Sequence, residues 1–188
     1  LGVNNLQVMA GFTFDIGNLS DVLKKLETLD AKVQQEVKDE ISASALNIQS
    51  VAKRLAPVNF GQLRNSIYLK EQKVDKGIVF TIGAKASYAP YVEFGTGGKV
   101  SIPAGFEELA SGFKGKKAGT FKDMVQALTL WVRRKGIGGG NDKSIAYAIA
   151  ISILRKGMRP QPFLIPAFET EKPKLIKNIL NVLKNVKS

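Results

Sequence analysis

Apolar residues alternate with polar ones near the start of the chain and then change to a helical period. Residues 11–16 read Gly-Phe-Thr-Phe-Asp-Ile, so the large apolar side chains share one face of an extended segment. From position 19 to position 55, apolar residues recur every three or four positions, which is typical of an amphipathic helix. The pattern therefore predicts a β-strand and then a long helix. Pro57 ends that helix because proline disfavours helical geometry at the preceding residue.

The predicted length of this helix is itself informative. At about 1.5 Å per residue, a helix over residues 19–55 would extend about 55 Å, which exceeds the diameter of a small domain. We therefore expect either that the helix breaks or that something outside this chain covers part of its apolar stripe.

A β-hairpin is predicted after the long helix. Residues 63–73 alternate imperfectly between apolar and polar side chains, and residues 78–83 form a compact apolar run. Asp75-Lys76-Gly77 lies between them and has the composition of a tight turn, with glycine where a positive φ is favoured.

Further helices are predicted in the second half of the chain. A short one covers residues 88–95, where Pro90 suits the first turn and Gly95 suits the C-terminal cap. Helical spacing of apolar residues predicts three more, at residues 121–135, 142–156 and 167–186, with Pro173 interrupting the last early. Phe163-Leu164-Ile165, flanked by prolines, is predicted to be extended.

The composition lowers the probability of catalysis. The 188 residues contain no cysteine and no histidine, which excludes thiolate nucleophiles, the usual general base and most transition-metal ligands. Neither glycine-rich stretch followed by lysine has the spacing of a phosphate-binding loop. The neighbouring carboxylates Glu107 and Glu108, and the pair Glu169 and Glu171, do not specify a metal or an acid–base dyad. We expect no enzyme activity, no catalytic residue, no metal and no cofactor.

The net charge of +12 favours contact with polyanions. Residues 98–120 carry no periodic pattern and are rich in glycine, lysine and serine, so they predict a flexible loop inserted into a single domain. We expect this basic loop to face DNA or a partner protein. Its candidate contact residues are Lys99, Lys114, Lys116, Lys117 and Lys122.

No apolar run approaches the roughly 20 residues that a membrane-spanning helix needs. The first residues also lack the basic start and apolar stretch of a signal peptide. We therefore expect no membrane partner and no secretion.

Three segments of the chain resemble a known protein family. They are Ala-Pro-Val-Asn-Phe-Gly-Gln-Leu-Arg-Asn-Ser-Ile at residues 56–67, Tyr-Ala-Pro-Tyr-Val-Glu-Phe-Gly-Thr-Gly at 88–97 and Arg-Pro-Gln-Pro-Phe-Leu-Ile-Pro-Ala-Phe-Glu at 159–169. In this order they resemble the tail-completion, or head–tail joining, proteins of long-tailed bacteriophages, over roughly residues 10–185. Asn59-Phe60 departs from the family's Asp-Thr, and residues 98–120 have no clear counterpart there.

The resemblance implies an α+β fold, with a small antiparallel β-sheet packed against a long N-terminal α-helix, additional helices and a C-terminal helix. It implies a structural virion protein that forms a ring, often of six copies, at the head–tail junction or tail end. Its partners would be further copies of itself, other phage neck or connector proteins and the tail tube protein. The duplex genome would pass through the ring with transient, non-specific contact. The protein would assemble in the bacterial cytoplasm and reside in the virion tail or neck.

Aromatic and proline-flanked residues of the second and third segments are the candidate contacts with subunits or partners. Tyrosine and phenylalanine offer rigid apolar contact area, and a stiff apolar strip between prolines can add to a neighbour. Packing within the subunit explains the same residues equally well. The candidates are Tyr88, Tyr91, Glu93, Phe94, Pro162, Phe163, Ile165 and Phe168.

Three alternatives stay open at the level of sequence. The role within a phage could be tail terminator, head-side stopper or minor tail subunit. A non-specific nucleic-acid-binding protein would account for the charge, and a salt-dependent affinity for duplex DNA without ring formation would favour it. An enzyme that uses serine, lysine or carboxylates has no motif behind it.

Overall fold

The computed structural model describes residues 12–15, 31–58, 61–74, 77–113 and 120–185. They fall into two compact units, unit 1 (Leu1–Lys85 and Phe163–Ser188) and unit 2 (Ala86–Pro162). In chain order the elements are β1 (Phe12–Asp15), α1 (Ala31–Leu55), α2 (Gln62–Ser66), β2 (Ile67–Val74), β3 (Gly77–Ala84), α3 (Ala89–Phe94), a 3-10 turn (Gly97–Lys99), α4 (Glu107–Ser111), α5 (Phe121–Lys135), α6 (Asp142–Lys156) and α7 (Leu164–Asn185). The predicted α+β architecture is confirmed, whereas the single domain stays a prediction.

Unit 1 contains a three-stranded antiparallel sheet in the order β1-β3-β2. Strands β2 and β3 pair continuously from Ile67 opposite Ala84 to Val74 opposite Gly77, so the predicted hairpin is confirmed. Its turn residues, 75 and 76, lie outside the described part of the chain. Strand β1 pairs with the other edge of β3, with Phe12 opposite Ala84.

The first hairpin strand begins later than predicted. Residues 63–66 belong to the short helix α2, in which the Asn65 N–H donates to the Gly61 carbonyl at 2.8 Å. The Ser66 hydroxyl donates back to the Leu63 carbonyl at 2.8 Å, so local hydrogen bonds compete with strand pairing here. The imperfect alternation over these residues reflects a helix turn before the strand.

Helix α1 presents one buried stripe to the rest of unit 1 and ends at Leu55, as Pro57 predicts. The described part begins at Ala31, so the predicted start at residue 19 lies outside the described residues. The helix contacts β2 and β3, which confirms that the long helix packs on the sheet. The stripe consists of Val33, Val37, Ile41, Ala45, Ile48 and Ala52.

Helix α7 packs antiparallel against α1. The Asn47 amide donates to Glu171 at 3.3 Å, and the Asn178 amide donates to Glu40 at 2.9 Å. Residue numbers therefore increase along α7 in the direction in which they decrease along α1. Helix α7 already begins at Leu164, so the extended conformation predicted for residues 163–165 is wrong. Burial of this segment in the unit 1 core outweighs the local preference that the flanking prolines suggest. Pro173 lies inside the helix without ending it.

The two long helices of unit 2, α5 and α6, contact each other and have the predicted bounds. A capping box starts α5, because the Thr120 hydroxyl accepts from the Asp123 N–H at 3.2 Å and the Thr120 N–H donates to the Asp123 carboxylate at 2.9 Å. Gly136, with a φ of 66°, ends α5. Arg133 forms an ion pair with Asp142 at 3.0 Å, which joins the end of α5 to the start of α6. None of the helices within the described ranges is long and apolar enough to cross a membrane.

Candidate functional site

The centre of the candidate site is helix α3 and the turn that follows it. Pro90 occupies the first turn of α3, where a missing N–H costs nothing, and Gly95 ends the helix with a φ of 79°. A Cβ atom on Gly95 would lie 2.7 Å from the Met158 carbonyl oxygen and 2.9 Å from that of Lys99. Only glycine fits this turn without moving the backbone around it.

Backbone hydrogen bonds tie this turn to the segment after α6. The Thr96 N–H donates to the Met158 carbonyl at 2.9 Å, and the Met158 N–H donates to the Thr96 hydroxyl at 2.8 Å. The Gln161 N–H donates to the Val92 carbonyl at 2.7 Å. Gly157 faces the Thr96 carbonyl so closely that a side chain there would collide with it. We call these five residues the 92–161 clamp. It joins the second resemblance segment to the start of the third.

A mainly apolar groove of about 540 Å³ lies beside the clamp in unit 2. Helix α3 contributes one wall, and α4 and its flanking residues contribute the other. Glu107 is the carboxylate in this lining. The apolar side chains that define the groove are Pro90, Tyr91, Phe94, Val100, Ile102 and Phe113.

The candidate contacts of the second segment divide between groove and interior. Tyr91 is half-buried and Phe94 is buried, and both line the groove. Tyr88 is half-buried at the start of α3, and this burial raises the pKa of its phenol. Glu93 is only 2% exposed and has interactions of its own, as a buried carboxylate needs. Tyr91 is therefore the best placed of the four to contact a partner.

Two of the four candidate contacts of the third segment are part of the unit 1 core. Phe163 and Ile165 are completely or almost completely buried, so they stabilise unit 1 rather than offer free surface. Phe168 is half-buried, with the Lys172 ammonium 5.8 Å from its ring centroid. Pro162 is exposed at the end of unit 2.

Two of the candidate basic contacts lie within the described residues, and both are exposed. Lys99 ends the 3-10 turn, which contacts α6, and Lys122 lies in the first turn of α5. Lys114, Lys116 and Lys117 lie outside the described residues.

An exposed apolar surface on α6 was missed by the sequence analysis. Tyr147 is 53% exposed and Leu154 is 61% exposed, although they lie on a helix with almost no polar residues between positions 145 and 154. That lack of a polar face was the available signal, because a surface helix ordinarily has one. Within the ranges that the structure describes, no cluster of three or more acidic side chains is arranged to hold a metal.

One comparison with known proteins gives a match. Residues 20–95 match the model of the HK97-gp10-like family, described as "Bacteriophage HK97-gp10, putative tail-component". This region resembles a phage tail component. The match contains the first resemblance segment and most of the second, so the resemblance to a phage tail family is confirmed there. It supports a structural role in a virion tail. Searches of curated proteins and of solved structures found no match.

Proposed function

We propose that this protein is a structural subunit of a phage tail that forms a ring of six copies at the head–tail junction or tail end. The ring joins or terminates the tail and lets the genome pass. The observation that carries the proposal is the family match over residues 20–95. The 92–161 clamp supports extending the likeness beyond that range, because it holds the third segment against the second.

In this proposal the accessible members of the candidate set contact neighbouring subunits. Tyr91 and Pro162 offer surface in unit 2, and Phe168 offers part of its ring in unit 1. The buried members Glu93, Phe94, Phe163 and Ile165 hold the backbone that carries the accessible ones. Tyr88, half-buried at the start of α3, offers part of its surface as well.

The basic residues contact polyanionic neighbours. Lys99, Lys122 and the lysines at 114, 116 and 117 face either the passing duplex or the tail tube protein. Contact with DNA is non-specific and transient, because these lysines meet phosphates rather than base edges. Neck or connector proteins and the tail tube bind the two faces of the ring. The subunits assemble in the bacterial cytoplasm, and no catalytic step is involved.

Native mass spectrometry of the purified chain, followed by electron microscopy, tests this role directly. We expect a closed ring of six copies, alone or after addition of neck or tube proteins from the same phage. A chain that stays monomeric with those partners present would contradict the proposal.

A second candidate, a non-specific nucleic-acid-binding protein, is favoured by the net charge of +12. Duplex affinity measured across a salt series separates the two. Tight binding that falls steeply with salt, without any ring, would favour the nucleic-acid-binding protein. A ring with weak duplex affinity would favour the tail subunit.

A further inference from the structure

Helix α6 exposes more apolar surface than unit 2 uses. Between Ile145 and Leu154 every residue except Ser152 is apolar, so no side of the helix is polar. Within unit 2 the helix packs against α5 and the 3-10 turn, and only Ala146 and Ala150 are buried. A helix that is apolar on all sides is normally covered on all sides. The uncovered side therefore indicates a missing partner.

Two exposed residues of α6 and a half-buried one between them have the spacing of an anchor for a groove. Tyr147, Ile151 and Leu154 are related as i, i+4 and i+7, so they lie along one face of the helix. We call them the α6 stripe. Tyr147 packs edge-on against Phe121 with ring centroids 5.3 Å apart, which holds its ring in place. Helices that bind in apolar grooves present anchors at this spacing.

The groove of unit 2 provides a concave surface of matching character. Val100 and Ile102 in its lining are 49% and 41% exposed, so they are open to a partner. The α6 stripe is convex and the groove is concave. A closed ring needs two different complementary surfaces on each copy, because each subunit contacts its neighbours head to tail.

Charge complementarity identifies the occupant of the groove. The exposed carboxylate of Glu107 lines the groove, and that of Glu108 follows it on α4. The exposed cations of Arg155 and Lys156 directly follow the stripe. Among the described residues none of these four charges forms an ion pair. An opposite charge beside each apolar surface favours one docking register.

We propose that the α6 stripe of one copy binds in the groove of the next copy, with Arg155 and Lys156 facing Glu107 and Glu108. The pairing rests on the proposed ring and names the two surfaces that close it. The occupant of the groove is a second copy of this chain.

Two single variants test the pairing. Leu154→Asp removes the stripe but keeps the groove, and Ile102→Asp removes the groove but keeps the stripe. Both residues are exposed, so each variant should fold as the wild type does, which circular dichroism and urea unfolding check. We expect each variant alone to associate about thirtyfold more weakly, since buried apolar anchors dominate such interfaces.

Mixing the two variants gives the sharper result. The intact groove of Leu154→Asp can accept the intact stripe of Ile102→Asp. The resulting pair then has only the altered stripe and the altered groove free, so no further copy can bind. We therefore expect native mass spectrometry to show heterodimers that stop at two copies. Reversing the charges together, with Glu107→Lys and Arg155→Glu in one chain, should restore the rings that either reversal alone weakens.

A control variant and the wild type separate the outcomes. Leu46→Asp changes an exposed apolar residue of unit 1 and should leave the rings unchanged. If the wild type and Leu154→Asp both form rings, the pairing is wrong but the proposed function stands. Rings of Leu154→Asp that fail to bind neck or tube proteins would assign the stripe to those partners instead. A wild-type chain that never assembles would overturn the proposed function as well.

Discussion

The two units of this protein are stabilised in different ways. Unit 1 buries large apolar side chains from helix, sheet and C-terminal helix alike, among them Ile48, Ile82 and Phe163. The buried apolar residues described in unit 2 are fewer, and half of them are alanines, such as Ala146 and Ala150. Its order depends instead on the 92–161 clamp, on glycines with positive φ and on the capping box of α5.

This difference suggests a division of roles. Because hydrophobic burial contributes most of the stability of a folded domain, unit 1 has the larger core of its own. Unit 2 leaves apolar side chains such as Ile102 and Leu154 exposed, and the proposed assembly would bury them. Core substitutions in unit 1 should therefore act on folding, whereas surface substitutions in unit 2 should act on association.

The largest effect on folding is expected from Phe163→Ala. The ring is fully buried, so its loss should lower the free energy of unfolding by about 3–5 kcal/mol, measured by urea denaturation. Leu46→Ala is the matched control in unit 1, because its side chain is 54% exposed and should change stability by less than about 0.5 kcal/mol. Equal losses from the two variants would show that unit 1 does not depend on this core.

The next effect is expected from Gly157→Ala in the clamp. Its backbone has a φ of 72° and a ψ of 169°, a conformation open essentially to glycine alone, and the new Cβ would collide with the Thr96 carbonyl. Gly136→Ala is the control, since its φ is 66° but no atom lies within 4 Å of the new Cβ, so it should cost about 1–2 kcal/mol.

We expect Gly157→Ala to cost more than the control and to speed hydrogen exchange at the Thr96 amide. If both variants lose the same stability, the close approach of Gly157 to Thr96 does not stabilise unit 2.

A smaller effect is expected from Thr120→Ala at the start of α5. Losing this cap should reduce stability by about 0.5–2 kcal/mol at neutral pH. The Thr120 hydroxyl and then its backbone N–H lower the pKa of Asp123 below the usual 3.8, because both stabilise the carboxylate. Their contribution is present above that pH and is lost as the pH falls through the lowered pKa.

Thr120→Ala should therefore lose less stability than the wild type on acidification in this window, as urea denaturation at several pH values can measure. An unchanged acid dependence would mean that Asp123 is held by other contacts. Thr129→Ala, which removes a hydroxyl from the middle of the same helix, serves as the control.

The smallest effect is expected from Tyr88→Phe. Burial raises the pKa of Tyr88, so the unfolded chain ionises first as the pH rises above the usual 10.0. Stability should be constant below that pH and fall as the pH rises towards the folded-state pKa. In Tyr88→Phe this part of the decrease should disappear, which unfolding at alkaline pH can measure. A wild type whose stability does not change there would contradict the burial of this phenol.

Helix positions were predicted well where the residues that determine the ends of a helix lie within that helix or next to it in the sequence. The bounds of α5 and α6 follow from apolar spacing, and the end of α1 follows from Pro57. Local rules determine these positions because capping and proline geometry act within a few residues. Residues 163–165 were predicted wrongly, because their helix depends on burial against distant parts of unit 1.

The sequence by itself determined the β-hairpin, most of the long helices, the amphipathic stripe of α1, the positive charge and the likeness to phage tail proteins. Only the tertiary structure decided that Phe163 is core and that Tyr91 lines a groove. It also decided that α6 keeps an apolar face uncovered. The physical reason is that exposure depends on which residues distant in sequence become neighbours. Apolar periodicity identifies surface that needs covering, and only packing shows what covers it.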